Sequence, residues 1–194
     1  MKIIGITGGM GSGKTKALSF FKSKGIPCYE SDRRAKDLLN SDNKLIKKIK
    51  FNFGKNIYNE YGLDTKELAD VVFNKEESLK VLNNIVHPYV RYDFKKFIKN
   101  QKSKIVFYES AIIFEHSNQD YFDKIILMIS SFEDRLKRII KRDAISLNEI
   151  KKRMHNQLND KDKIPLADYV VYNNLWKNTL LDLENIYLKI KDLD

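Results

Sequence analysis

The sequence predicts an α/β fold: a five-stranded parallel sheet, an inserted helical subdomain and a helical lid. Three observations carry that expectation. Short apolar runs alternate with longer amphipathic stretches, the pattern of βα units around a parallel sheet. One gap between runs, about seventy residues long, far exceeds a simple crossover and is helical in its apolar spacing. A second interruption, after the fourth run, is strongly basic.

The first run, residues 3–6, feeds straight into Gly8-x-x-x-x-Gly13-Lys14-Thr15, and a helix-forming stretch, residues 14–24, follows. This strand–loop–helix context marks a phosphate-binding P-loop. Its glycines let the chain curl so that backbone N–H groups point at a phosphate chain, its lysine reaches the β/γ-phosphates, and its Ser/Thr hydroxyl holds Mg²⁺. The expected nucleotide-binding residues are Gly11, Ser12, Gly13, Lys14, Thr15 and Lys16, with Thr15 also the expected metal ligand.

The second run, 26–29, ends at Tyr29-Glu30-Ser31-Asp32. Ligands of a parallel sheet collect beyond the carboxyl ends of its strands, so these carboxylates leave on the same edge as the P-loop. Asp32 or Glu30 could orient an acceptor hydroxyl, accept its proton or help hold Mg²⁺. Asp32 before Arg33-Arg34-Ala35 is equally a good helix N-cap. The long insertion, residues 32–100, carries two apolar sets: Leu38, Leu39, Leu45, Ile46 and Ile49, then Val71, Val72, Phe73, Leu79, Leu82, Ile85 and Val86. His87-Pro88 is expected to make a turn between two helical stretches.

The third and fourth runs are residues 105–108 and 125–129. Ser130-x-x-Glu133 reads as a capping box, and Arg135, Arg138 and Arg142 behind it share a helix face. Ser146-x-x-Glu149 reads as a second box, opening a helix that reaches about Gln157. Residues 132–164 are the expected lid, in which Arg138 and Arg142 are solvated when open and face the phosphates when closed. The fifth run, 169–172, and an amphipathic helix over 178–193 complete a core formed by residues 1–31, 101–131 and 165–194.

Composition narrows the class. The chain has 194 residues, 42% of them hydrophobic, enough for one compact domain. No run approaches the roughly eighteen apolar residues of a membrane span, so no membrane association is expected. A single cysteine, Cys28, excludes an internal disulfide and fits a reducing cytoplasm. The net charge of +10 suits polyanionic ligands. No His/Cys/carboxylate cluster has the spacing of a structural zinc site. A GTPase is disfavoured: no glycine has an aspartate three residues earlier, and Asn74-Lys75-Glu76-Glu77 lacks the guanine-reading aspartate. The middle runs do not end in a clear apolar stretch followed by Asp, which disfavours a motor ATPase. A small P-loop kinase remains, with a nucleoside or nucleoside-monophosphate kinase as the alternative. A nucleic-acid-binding protein is more distant, since the chain lacks a recognition helix or an aromatic stacking series.

The residues closely resemble the dephospho-coenzyme A kinase family over nearly the whole length. Ile4-Gly5-Ile6-Thr7-Gly8-Gly9-Met10-Gly11-Ser12-Gly13-Lys14-Thr15 is similar to the family's opening, and Gly25-Ile26-Pro27-Cys28-Tyr29-Glu30-Ser31-Asp32 to its second strand and acidic turn. Val72-Phe73 with Leu82-Asn83-Asn84-Ile85-Val86-His87-Pro88 resembles its substrate-domain signature, and Phe114-Glu115 its apolar pair and Glu. Leu136-Lys137-Arg138, Arg142-Asp143 and Gln157 resemble its lid, and Ala167-Asp168-Tyr169-Val170-Val171-Tyr172-Asn173-Asn174 its last strand and turn.

The resemblance implies ATP-dependent phosphorylation of the 3′-hydroxyl of dephospho-coenzyme A, the last step of coenzyme A synthesis. It implies a monomer or weak homo-oligomer with no nucleic-acid partner. Lys14, Asp32, Arg138 and Arg142 are the implied catalytic residues. Asp32, His87, Glu30 and Glu115 lie on the implied acceptor side, and Asn173 and Asn174 near the adenine end. Three positions depart from the family pattern: Glu30 replaces an Asp, Ser110-Ala111-Ile112-Ile113 lacks a proline, and Leu175 stands where a glycine is frequent.

Overall fold

The computed structural model describes residues 1–73, 76–115, 117–143, 147, 150–151, 154 and 157–191. It divides into two compact units, Met1–Glu30 with Lys102–Asp194, and Ser31–Gln101. The Ser146/Glu149 capping box and the Asn74-Lys75 pair lie outside the described residues, as do residues 192–193 of the last helix.

The first unit is built on β1 (Lys2–Thr7), β2 (Cys28–Glu30), β5 (Ile105–Glu109), β6 (Lys124–Ile129) and β7 (Tyr169–Tyr172). They form one sheet in the order β2-β5-β1-β6-β7, and every neighbouring pair is parallel. Strand side chains alternate faces, and the sequence uses both faces for core. Ile4, Ile6, Phe107, Ile126 and Met128 pack with Ala17, Leu18 and Phe21 of α1 (Lys14–Ser23) and with Leu183, Ile186 and Ile190 of α7 (Trp176–Lys191). On the other face Ile125, Leu127 and Ile129 pack with Ile113 and Phe114. The Phe21 and Phe107 rings stack with centroids 4.0 Å apart. Cys28 begins β2, two residues later than expected, because Pro27 has no N–H to give the ladder and contributes only its carbonyl, which accepts from Phe107. Burial pushes the Cys28 thiol up to about 12, so it stays protonated and inert.

The second unit consists of α2 (Ser31–Ser41), α3 (Asn43–Phe53), a short hairpin of β3 (Tyr58–Asn59) and β4 (Gly62–Leu63), α4 (Thr65–Phe73) and α5 (Glu76–Lys99). Leu39, Leu45, Ile49, Ile57, Val72, Val86, Val90 and Phe94 are buried within it. Asp42 caps α3 by accepting from the N–H groups of Lys44 and Leu45. Arg34 of α2 donates twice to Asp93 of α5, at 2.9 and 2.8 Å, a bidentate pairing.

Two local expectations fail. His87-Pro88 is not a turn: α5 runs unbroken from Glu76 to Lys99 with Pro88 inside. Pro88 withholds one N–H from the helical ladder, and the buried Val86, Val90 and Phe94 keep the helix on its packing face through that gap. Nor does Ser130 cap the next helix, α6 (Phe132–Asp143). Its neighbour Ser131 accepts from the Asp134 N–H, while the buried Ser130 hydroxyl donates to the Asn173 carbonyl at 3.0 Å.

Candidate active site

The loop between β1 and α1 curls as its glycines allow. Gly8 and Gly13 have φ of 144° and 100°, a region unfavourable to L side chains. A Cβ at Gly8 would overlap the Met128 carbonyl, and one at Gly13 the Asn173 side-chain amide. The loop is therefore pressed between β6 and the turn after β7, with no room for a side chain at either point.

Lys14 is 8% exposed. Its ammonium donates to the carbonyls of Gly8 at 3.0 Å and Gly9 at 3.3 Å. The lysine thus arches back over the loop toward its first residues. The Ser12 hydroxyl is buried and makes no hydrogen bond among the described residues, an orphan donor that a phosphate oxygen would satisfy. Thr15 and Lys16 are exposed at the start of α1. Lys16 holds its ammonium 3.8 Å from the centre of the Trp176 ring.

Beside the loop stands a carboxylate that sequence reasoning missed. Glu109 ends β5, is 6% exposed, and lies 3.9 Å from the Lys14 ammonium. In register it stands beside Ile6 of β1 and Glu30 of β2, so both acids reach the carboxyl edge of the sheet. The signal was present: the run 105–108 is followed directly by an acid, but a Glu rather than the Asp sought there.

The basic helix α6 divides its arginines. Arg138 donates to the Gly11 carbonyl at 3.2 Å, the Ser130 hydroxyl at 3.1 Å and the Asn173 carbonyl at 2.9 Å. It is built into the loop, not solvated as expected of an open lid. Arg135, which carried no expectation of its own, donates from Nε to the Met10 carbonyl at 2.8 Å and pairs with Asp160 at 3.4 Å. Burial lowers its pKa from the usual arginine range, with Asp160 acting the other way. Arg142 is the exposed member, its side chain 60% accessible and paired with Asp143 at 2.6 Å. That hydrogen bond chiefly raises its pKa, and the Glu109 charge adds a smaller push in the same direction.

Other expected residues prove to be structural supports. Asn173 is buried. Its side-chain amide donates to the Ser12 carbonyl at 2.8 Å and accepts from Thr179 at 3.1 Å, so it fixes the loop. Asn174 is exposed beside it. Glu115, expected on the acceptor side, pairs with Lys163, 2.7 Å away, and accepts from the Leu158 N–H at 3.1 Å. Lys163 is wholly buried, and a charge so placed needs a partner of opposite sign. Gln157 accepts from the Met10 N–H at 2.9 Å.

Asp32 and His87 belong to the helical unit. Asp32 is exposed in the first turn of α2, which begins one residue earlier at Ser31, so it is inside the helix and not at the cap. The Ser31 hydroxyl lies 3.5 Å from its carboxylate. His87 is half-buried on α5.

The chain as a whole is similar to known proteins. A dephospho-CoA kinase from Fusobacterium nucleatum is 34% identical over 191 residues, covering 97% of this chain and 95% of that protein. A solved dephospho-CoA kinase from Campylobacter jejuni superposes with a TM-score of 0.70 at 27% identity, with 98% of both chains covered. A solved Thermus thermophilus protein does so with a TM-score of 0.84 at 29% identity, covering 100% of this chain and 98% of the other. The family description for dephospho-CoA kinase matches residues 2–178. With its P-loop, its five-stranded parallel sheet and this match across the chain, the protein belongs to the dephospho-CoA kinase family.

Proposed function

We propose that the chain transfers the γ-phosphoryl group of ATP to the ribose 3′-hydroxyl of dephospho-coenzyme A, giving ADP and coenzyme A. The observation that carries this reading is the P-loop with Lys14 arched over Gly8 and Gly9, in a chain matched to the family over residues 2–178.

The residues take separate parts. Backbone N–H groups of Gly11 to Thr15, with the unpartnered Ser12 hydroxyl, bind the phosphates. Lys14 neutralises charge as it moves onto the β–γ bridging oxygen. The donor set suits Mg²⁺, which takes one or two protein oxygens and completes its shell with phosphates and water. Thr15 would hold it, and the ion would supply charge neutralisation beside the β- and γ-phosphates. Lys16, carried on the face of Trp176, adds positive charge at the start of α1, and Asn174 lies at the adenine end. On the acceptor side Asp32 accepts the proton of the 3′-hydroxyl. That oxygen bonds to the γ-phosphorus as its bond to the β–γ bridging oxygen breaks and ADP leaves. Glu30 and His87 belong to the same acceptor side, and the helical unit supplies the coenzyme-A-binding surface. Arg142 screens the transferring phosphoryl from its exposed station on α6. A reducing cytoplasmic setting suits the single cysteine.

The test is ADP release measured by a coupled assay with ATP and Mg²⁺, with and without dephospho-coenzyme A. Release that depends on dephospho-coenzyme A, and not on nucleoside or nucleoside-monophosphate acceptors, is expected. Equal release with those acceptors would overturn the assignment.

A further inference from the structure

Both polar groups of one peptide-bearing residue in the P-loop are held from outside the loop. The Met10 N–H donates to the Gln157 side chain at 2.9 Å, and the Met10 carbonyl accepts from Arg135 Nε at 2.8 Å. A backbone N–H can only donate, so the Gln157 atom it meets is the amide oxygen. The segment bearing Gln157 is anchored in turn. Asp160 pairs with Arg135, Leu158 donates to Glu115, and Lys163 is buried against that same carboxylate.

The position of Met10 in the loop gives this contact meaning. P-loop lysines reach the β/γ-phosphates, and here the Lys14 ammonium lies on the carbonyls of Gly8 and Gly9. The Gly8–Met10 end of the loop is therefore the end where a third phosphate is received, whereas the first two lie nearer the start of α1. The Gln157 carbonyl thus occupies an N–H at the place where ATP differs from ADP.

We propose that Gln157 is a specificity-determining residue that competes with the γ-phosphate for the Met10 N–H, and so sets the loop's preference between the substrate ATP and the product ADP. The proposal rests on the nucleotide assignment made above. ADP binds without disturbing the contact. ATP must displace the Gln157 carbonyl, and the third phosphate gains that much less. The consequence is a loop that does not hold ATP as tightly as its donors would permit and regains its own hydrogen bond once the γ-phosphoryl has left.

Competition predicts variants that split the two nucleotides. Calorimetric binding of AMP-PNP and of ADP, each with Mg²⁺, is measured on the intact chain for wild type, Gln157→Ala and Gln157→Glu. Removing the competitor in Gln157→Ala is expected to tighten AMP-PNP by about 2–10-fold, the worth of one hydrogen bond, with ADP affinity unchanged. Gln157→Glu keeps an acceptor but sets a negative charge against the terminal phosphate, so AMP-PNP weakens while ADP stays near its wild-type value. ADP binding also reports that each variant is folded. Variants that shift both nucleotides alike, or neither, overturn the proposal. A wild-type chain that binds neither nucleotide would instead overturn the P-loop assignment on which it rests.

Discussion

The two ends of α6 carry the same residue type on the same stripe and use it in opposite ways. Toward the helix start, Arg135 and Arg138 spend their donors on the carbonyls of Met10, Gly11 and Asn173 and on Ser130. At its last turn Arg142 stands 60% accessible, its fork given to its neighbour Asp143. The difference shows why a basic stripe is a poor guide to catalysis by itself. An arginine whose fork is already filled by backbone carbonyls must break those bonds to meet a phosphoryl group, and each is worth about 1 kcal/mol net. Arg142 also gives a two-bond fork, to Asp143 at 2.6 and 2.7 Å, but its side chain is exposed, so water can replace those bonds when it turns to another anion. Arg138 therefore helps hold the loop in shape, and the proposed function gives the transition-state role to the exposed Arg142.

The largest expected effect belongs to Asp32, the residue to which the proposed function gives the proton of the acceptor hydroxyl. Asp32 is exposed and not at a cap, so Asp32→Asn is expected to lower turnover by about 10²–10⁴-fold while ATP affinity and melting temperature hold. A loss of stability near 1 kcal/mol with normal turnover would return Asp32 to a capping role. Arg142 should follow the Asp32 pattern. Arg142→Ala is expected to cost about 10²–10³-fold in turnover with an unchanged melt, and Arg142→Lys should recover only part, since it keeps charge but not the planar fork. Full activity in Arg142→Ala would remove the contrast at its active end. Arg138→Lys should show the reverse signature: a loss of roughly 1–3 kcal/mol, seen as a melting temperature several degrees lower without ligand, and a weakening of both ATP and ADP. A normal melt for that variant would mean that the three hydrogen bonds do not hold the loop.

What the sequence revealed follows from how local each signal is. The P-loop was legible because one contiguous string dictates strand, turn and helix, and the five strands because each is a short apolar run. The supports of the loop were not legible. Lys163 and Glu115 lie far apart in sequence, and nothing local marks a lysine as wholly buried. The support Asn173 gives was not legible either, since only the fold brings its amide to the Ser12 carbonyl. Pro88 misled through a rule about propensity that packing on α5 overrides. Glu109 directly follows the run 105–108, but a glutamate there lacks the apolar-run-then-aspartate pattern that marks such a position.

The smallest effects separate two adjacent serines, and they sharpen the contrast within α6 from its first turn. Ser131 accepts from the Asp134 N–H and caps the helix. Ser130 is buried, donates to the Asn173 carbonyl and accepts from Arg138. Ser131→Ala should therefore cost about 0.5–2 kcal/mol, the worth of a cap, and leave nucleotide affinity alone because no loop contact is lost. Ser130→Ala removes one bond from each of two partners that themselves hold the loop. Its expected cost in stability is similar, but it should be accompanied by weaker binding of ADP. Calorimetric titration of ADP beside thermal melts measures both. Equal ADP affinity in the two variants would show that Ser130 stabilises the helix without shaping the phosphate loop, and the division between the helix ends would then rest on Arg135 and Arg138.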